Sequence, residues 1–115
     1  MPLLSKIFIL LFYTAIISIT ILAFLPDYDA LPPIVSFSDL LNHTIAFITL
    51  FILLRLAHPA LATNYAIGVL LIYAFWIELV QYFLPTRFAS WSDIGADSVG
   101  LVLGFLIVKL FQKKA

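Results

Sequence analysis

The sequence DIGADSVGLVLGFLIVKLF occupies residues 93–111. It is a mostly apolar stretch, long enough to span a membrane, that has two aspartates near its start. A transmembrane helix needs about 20 mostly apolar residues. Residues three or four apart share one face of a helix, so Asp93, Asp97, Gly100 and Gly104 lie along one side. Small residues at this spacing let helix backbones approach closely in membranes. The stretch therefore predicts a membrane helix whose glycines pack against another helix and whose carboxylates point into a bundle.

The rest of the chain is equally apolar. Of its 115 residues, 64% are hydrophobic and 10% are charged, whereas soluble domains are about half apolar and about one quarter charged. Three further apolar stretches approach spanning length, and polar or proline-containing breaks separate them. The sequence predicts an all-α integral membrane protein with a single domain over residues 1–115 and four transmembrane helices in an antiparallel bundle, at residues 4–25, 40–56, 64–84 and 93–111.

A secretory signal peptide is the alternative for the first apolar stretch, since Lys6 precedes it. Signal peptides have apolar runs of about 7–15 residues before a cleavage site of small residues. Here the apolar run is longer, and Phe24, Leu25 and Pro26 follow it. We therefore expect a helix that is retained in the membrane.

Charge and cysteine content exclude several functions. Six Lys and Arg residues balance six Asp and Glu residues, so the chain has no basic field for nucleic acid. Cys is absent, which excludes disulfides, thiolate zinc sites and cysteine nucleophiles.

The basic residues predict the orientation, because Lys and Arg are enriched in cytoplasmic loops. Five of the six lie on one side of a four-span threading: Lys6, Arg55, Lys109, Lys113 and Lys114. Arg87 alone falls on the other side. We expect both termini to be cytoplasmic.

This threading gathers polar residues of three helices and one loop at the outer membrane face: Asp39, His43, Glu78, Gln81, Arg87, Asp93 and Asp97. Glu78 is expected about 9 Å below the outer end of the third helix, at about 1.5 Å per residue. An ionisable side chain at such a depth is expensive and requires a partner, which makes it a functional hypothesis. All seven residues are ligand-binding candidates, and Glu78, His43 and Asp97 are the catalytic candidates.

Structural explanations compete with a functional one. Asp39 and Asp93 each stand three residues after a Ser, as in a helix capping box. Arg87 can anchor at lipid phosphates or pair with an acidic neighbour, and Gln81 can bond to a neighbouring helix. The whole set can also be a hydrogen-bonded network that joins three helices. No metal or cofactor is predicted, because the sequence has no HExxH motif, Walker loop, GxSxG elbow or dinucleotide fingerprint.

The motifs around these residues resemble the VanZ-like family, small membrane proteins named for a teicoplanin-resistance accessory protein. The motifs are DLLNHTIAF at 39–47, ELVQYFLPTR at 78–87 and SDIGADSVGLVLG at 92–104. The family commonly has Lys where this chain has Leu40, and Asn where it has Asp97. The resemblance implies a bacterial inner-membrane protein that affects envelope chemistry or glycopeptide sensitivity. The apolar composition makes the lipid bilayer a partner, and a lipid-linked envelope precursor is the candidate ligand of the outer-face residues.

Three functions stay open at this point. The outer-face residues can bind or remodel an envelope component, such as a lipid-linked headgroup. They can form an intramembrane acid–base site in which Glu78 or His43 is the base. They can also be purely structural or bind a protein partner within the membrane, and the sequence does not determine the oligomeric state.

Single-cysteine labelling tests the predicted orientation. The chain has no Cys, so Asp29→Cys and Lys114→Cys each introduce one reactive site. A membrane-impermeant thiol reagent added to intact cells should label Asp29→Cys and leave Lys114→Cys unlabelled, because Lys and Arg hold the termini inside. The reverse pattern would show that the orientation is wrong.

Overall fold

The computed structural model describes residues 2–24, 39–83 and 91–114. Within these ranges the chain forms four α-helices and no strand: α1 Pro2–Ala23, α2 Asp39–Ala57, α3 Thr63–Tyr82 and α4 Trp91–Lys114. Each helix is long and apolar enough to cross a membrane. The predicted all-α class and the four spans are therefore confirmed. The helices begin and end within a few residues of the predicted bounds, although positions 25 and 84, two of the predicted ends, lie outside the described residues.

Helices α2 and α4 run parallel. Near the start of both helices, His43 Nδ1 lies 2.6 Å from Asp97 Oδ1. Further along both, the rings of Phe51 and Phe105 meet edge to face with centroids 6.5 Å apart. Residues 58–62 reverse the chain between α2 and α3, so α3 runs opposite to both of its neighbours in sequence.

Helices α1 and α3 are also parallel, and polar contacts join them. Thr20 Oγ1 lies 2.6 Å from the Tyr73 hydroxyl, and closer to the ends of the two helices Gln81 Nε2 donates to the Ala23 carbonyl at 2.8 Å. Such bonds between helices satisfy polar groups that lipid cannot satisfy. Helix direction therefore alternates along the chain. The end of the bundle where α1 and α3 finish and α2 and α4 begin is here named the acidic end.

Two glycines explain how closely α4 approaches α2, the helix against which it packs most extensively. A Cβ atom built on Gly100 would lie 2.5 Å from the Thr44 carbonyl oxygen and 2.9 Å from Phe47 Cβ. A Cβ atom built on Gly104 would lie 3.0 Å from Phe51 Cβ. The backbone of α4 thus rests directly on α2, and the glycine stripe faces α2 rather than lipid.

The buried apolar core is centred on α2, whereas α1 is peripheral. Phe47, Leu50 and Phe51 are at most 1% exposed. In α1, Phe12 is the one described side chain in the buried core, while Leu10 is 68% exposed. Exposed apolar surface on this scale is abnormal for a soluble monomer and is the surface that lipid chains cover. The fold is that of a multi-pass membrane protein.

Alanine substitutions at two glycines of α4 test the α2–α4 contact. Gly100→Ala should lower the free energy of unfolding by about 1–3 kcal/mol, the usual range for overpacking, because the new Cβ would meet backbone that cannot swing aside. Gly95→Ala is the matched control, since a Cβ there meets nothing within 4 Å. Unfolding by sodium dodecyl sulfate in mixed micelles, followed by circular dichroism, measures both. Equal stability of the two variants would contradict the close contact.

Candidate functional site

Among the described side chains, one histidine and three carboxylates lie near the acidic end of the bundle: His43 on α2, Glu78 on α3, and Asp93 and Asp97 on α4. His43 and Glu78 each lie about 6 Å from the nearer end of their helix, at about 1.5 Å per residue. Asp97 lies about 9 Å inside the start of α4 on the same scale. Glu78 is shallower than the sequence predicts, because α3 ends at Tyr82.

His43 and Asp97 are in direct contact. The Nδ1–Oδ1 distance is 2.6 Å, and the two side chains are 12% and 1% exposed. A contact this short and this buried is typical of a charge-assisted hydrogen bond. With an ionised Asp97, the imidazole donates from Nδ1–H. The bond fixes the plane of the ring and assigns to Nε2 the role of proton acceptor or metal ligand.

The close approach of α4 to α2 positions this pair. Gly100, about one turn after Asp97, lies against the carbonyl of Thr44, the residue that follows His43. Thr44 Oγ1 also reaches across to the Ala96 carbonyl at 3.3 Å. Because the two backbones touch one turn away, the short Asp97 side chain reaches the His43 ring.

Glu78 and Asp93 lie in the same region as His43. One nitrogen or carboxylate oxygen from each of the three residues lies within 4.8 Å of the other two. Glu78 is 6% exposed and Asp93 is 5% exposed. Asp93 is in the first turn of α4, where an acidic residue favours the helix dipole, but its burial beside two other helices goes beyond capping. His43, Glu78, Asp93 and Asp97 are here named the acidic cluster.

The charge of the acidic cluster determines what it can do. Three carboxylates and one imidazole in a bilayer cannot all carry their charge without compensation, because buried ions are expensive. Protons, a basic side chain or a bound cation can compensate them. The cluster can therefore accept hydrogen bonds, exchange protons or coordinate a cation.

Gln81 joins α3 to α1 and lies one turn beyond Glu78. Its side chain is 1% exposed, and Nε2 donates to the Ala23 carbonyl, one of the carbonyls that the end of α1 leaves without a helical partner. Its Oε1 has no hydrogen-bond partner within residues 2–24, 39–83 and 91–114. Gln81 thus has a structural contact and one further acceptor near the cluster.

Three residues of the predicted motifs lie outside the described part of the chain, and a fourth is described only in its backbone. Arg87 lies outside the described residues, and so do Ser36 and Ser90, the serines of the two capping patterns. Asp39 begins α2, but its side chain is not among those described. Thr44 is the residue near the site that the sequence analysis missed. The available signal was a hydroxyl inside an apolar span and directly after His43.

A cavity of about 810 Å³ lies towards the other end of the bundle, between α1, α2 and α3. Most of its lining is apolar, as at Phe12, Leu54 and Leu70. His58 borders the cavity, with Nε2 3.3 Å from the Tyr13 hydroxyl. Such a groove fits lipid chains, and it shares no lining residue with the acidic cluster.

These features define a multi-pass helical membrane protein with buried carboxylate and histidine side chains at one end of its bundle. The model of the VanZ/LLP1 family matches residues 3–112, nearly the whole chain, and the chain belongs to this family. The predicted resemblance is thereby confirmed. No curated protein and no solved structure matches the chain.

A double-mutant cycle tests the coupling of His43 to Asp97. We expect His43→Gln and Asp97→Asn to be non-additive, with an interaction energy of about 0.5–3 kcal/mol, because each change removes the same buried contact. The control cycle pairs Tyr13→Phe with His58→Gln, whose contact is longer and exposed, and its coupling should be smaller. Denaturation in mixed micelles gives all the values. Additive effects at His43 and Asp97 would show that they do not interact.

Proposed function

We propose that this VanZ/LLP1 family member binds the polar headgroup of a lipid-linked envelope component at the extracytoplasmic face of the bacterial inner membrane. The binding residues are the acidic cluster with Gln81, together with Asp39 and Arg87. The observation that carries the proposal is the clustering of the partly buried His43 with the buried Glu78 and Asp93, which come from three different helices.

The position of the cluster supports a headgroup ligand. It lies about 6–9 Å from the helix ends by residue count, a depth at which a headgroup can be reached while its lipid tail stays in the bilayer. The described basic side chains Lys6, Arg55 and Lys109 belong to the opposite end of the bundle. The positive-inside rule then assigns the acidic end to the outer face.

The chemistry of the cluster supports a sugar or a sugar phosphate. Carboxylates accept hydrogen bonds from hydroxyl groups, and Gln81 Oε1 is a further acceptor. Phosphate is repelled by carboxylates unless a cationic group accompanies it, and Arg87 is the basic residue that the sequence predicts on this face. A glycopeptide phenotype would follow if the bound component belongs to cell-wall synthesis.

An intramembrane acid–base enzyme is the second candidate, and the contact between His43 and Asp97 favours it. A histidine whose Nδ1 is held by a carboxylate presents Nε2 as a general base. Glu78, in the same cluster, would be the acid. This candidate uses the same site and a substrate of the same class, but it requires turnover.

Complementation tests the proposed function. In a strain that lacks this protein, the wild-type chain should restore the level of teicoplanin resistance that the parent strain shows. Glu78→Gln should not restore it, because the substitution removes the charge and keeps the shape. His43→Gln should fail in the same way. His58→Gln is the matched control, since it removes the other of the two histidines far from the cluster, and it should complement fully.

Membrane levels of each variant must be measured in the same cells. Loss of the phenotype at a normal protein level supports a site. Full complementation by both Glu78→Gln and His43→Gln would leave a structural role for the cluster and contradict the proposal. A phenotype that simply follows the amount of folded protein would do the same.

A further inference from the structure

We propose that His43, Glu78 and Asp93 bind one divalent transition-metal ion of the Zn²⁺ or Mn²⁺ type, and that Asp97 holds the His43 ring in its coordinating orientation. The inference rests on the proposed function only for the membrane face from which the ion enters. The sequence shows no metal motif at these residues, because the three ligands come from three separate helices.

The geometry fits one ion. One ligand atom from each of the three residues lies within 4.8 Å of the others. Three ligands that each lie about 2.1 Å from one tetrahedral Zn²⁺ are about 3.4 Å apart. Closing the three side chains around an ion therefore requires their ligand atoms to approach one another by at most about 1.4 Å, and the rotatable side chains of Glu78 and Asp93 allow such an approach.

The His43–Asp97 contact is an independent observation that points to a metal. Histidines that bind metal almost always donate their other ring N–H to a carboxylate, a carbonyl or a water, which sets the tautomer and raises the basicity of the ligating nitrogen. Here Nδ1 meets Asp97 Oδ1 at 2.6 Å. The proposal therefore assigns the metal to Nε2, the ring nitrogen that the Asp97 contact leaves open.

The ligand set and its charge select the class of ion. One imidazole nitrogen and two carboxylate oxygens suit Zn²⁺, Mn²⁺ or Fe²⁺, and the absence of Cys removes the softer thiolate sites. Two ionised carboxylates balance the charge of a divalent ion, which leaves Asp97, hydrogen-bonded to His43, as the one carboxylate of the cluster that the ion does not balance. Three protein ligands leave at least one position for a water or for an oxygen of the headgroup.

Protons or the Arg87 side chain are the alternative means of balancing the carboxylates. Neither alternative makes the binding of a metal ion depend on the His43 ring, since neither uses a metal ligand. The effect of a His43 substitution on cation binding therefore separates a metal site from both.

Zinc binding by the purified full chain tests the inference. The protein carries an affinity tag without histidines, is stripped with a chelator in detergent, and is exchanged into Zn²⁺ and then desalted. We expect about one Zn²⁺ per chain by mass spectrometry, the occupancy of a single site of this kind. Asp97→Asn should weaken Zn²⁺ about 10–100-fold in competition with a chromophoric chelator, the usual effect of removing such a supporting group. His43→Gln should weaken it at least as much.

Two further measurements distinguish metal coordination by His43 from a purely structural role of this residue. His58→Gln should bind Zn²⁺ like the wild type, which excludes adventitious binding by a surface histidine. Co²⁺ bound to the wild type should give visible ligand-field absorption that shifts in Asp97→Asn and disappears in His43→Gln, while circular dichroism shows that helix content is unchanged. Equal Zn²⁺ and Mn²⁺ binding by the wild type and His43→Gln would overturn the metal site, whatever happens to Glu78→Gln.

The failure of this inference is distinguishable from failure of the proposed function. A wild-type chain that binds no metal, together with variants that fail to complement, overturns the metal site and leaves headgroup binding in place. Metal binding that depends on His43, together with full complementation by both His43→Gln and Glu78→Gln, supports the metal site and overturns the proposed function.

Discussion

The backbone contact between α4 and α2 is the constraint on which the site depends. Lipid is as apolar as the side chains, so helices in a membrane gain little from apolar burial and associate through close packing and polar bonds. At Gly100 no Cβ atom would fit, because the Thr44 carbonyl lies 2.5 Å from where it would be. This approach brings the short Asp97 side chain within hydrogen-bond distance of the His43 ring, one turn away.

Burying the carboxyl groups of the acidic cluster in a bilayer costs free energy, which argues against a role in packing alone. A bilayer provides no water for a buried carboxylate, so each one must be matched by a proton or a positive group. Helix packing alone would be satisfied by apolar side chains at positions 78 and 93, since replacing buried ion pairs by apolar groups is often neutral or stabilising. The proposed headgroup site would account for carboxyl groups at these two positions.

Much of the fold was predictable from the sequence, because each membrane span is a local property of about 20 apolar residues. The residues of the acidic cluster were predictable too, since the threading brings them to one face. What escaped prediction depends on contacts between helices. Hydropathy does not reveal that α4 packs chiefly on α2, or that Thr44 bridges to Ala96. Capping explained Asp93 locally, so its place beside His43 and Glu78 emerged only from the packing of three helices.

The most direct test of this account is the separation of the His43 ring from the Asp97 carboxyl in a bilayer. The chain has only two histidines, so solid-state NMR of the chain in lipid, with ¹⁵N-labelled histidine and ¹³C-labelled aspartate, reports on few pairs. The account predicts strong dipolar dephasing of the His43 Nδ1 signal by an aspartate carboxyl carbon, and its loss in Asp97→Asn. Absence of dephasing in the wild type, or dephasing that persists in Asp97→Asn, would contradict it.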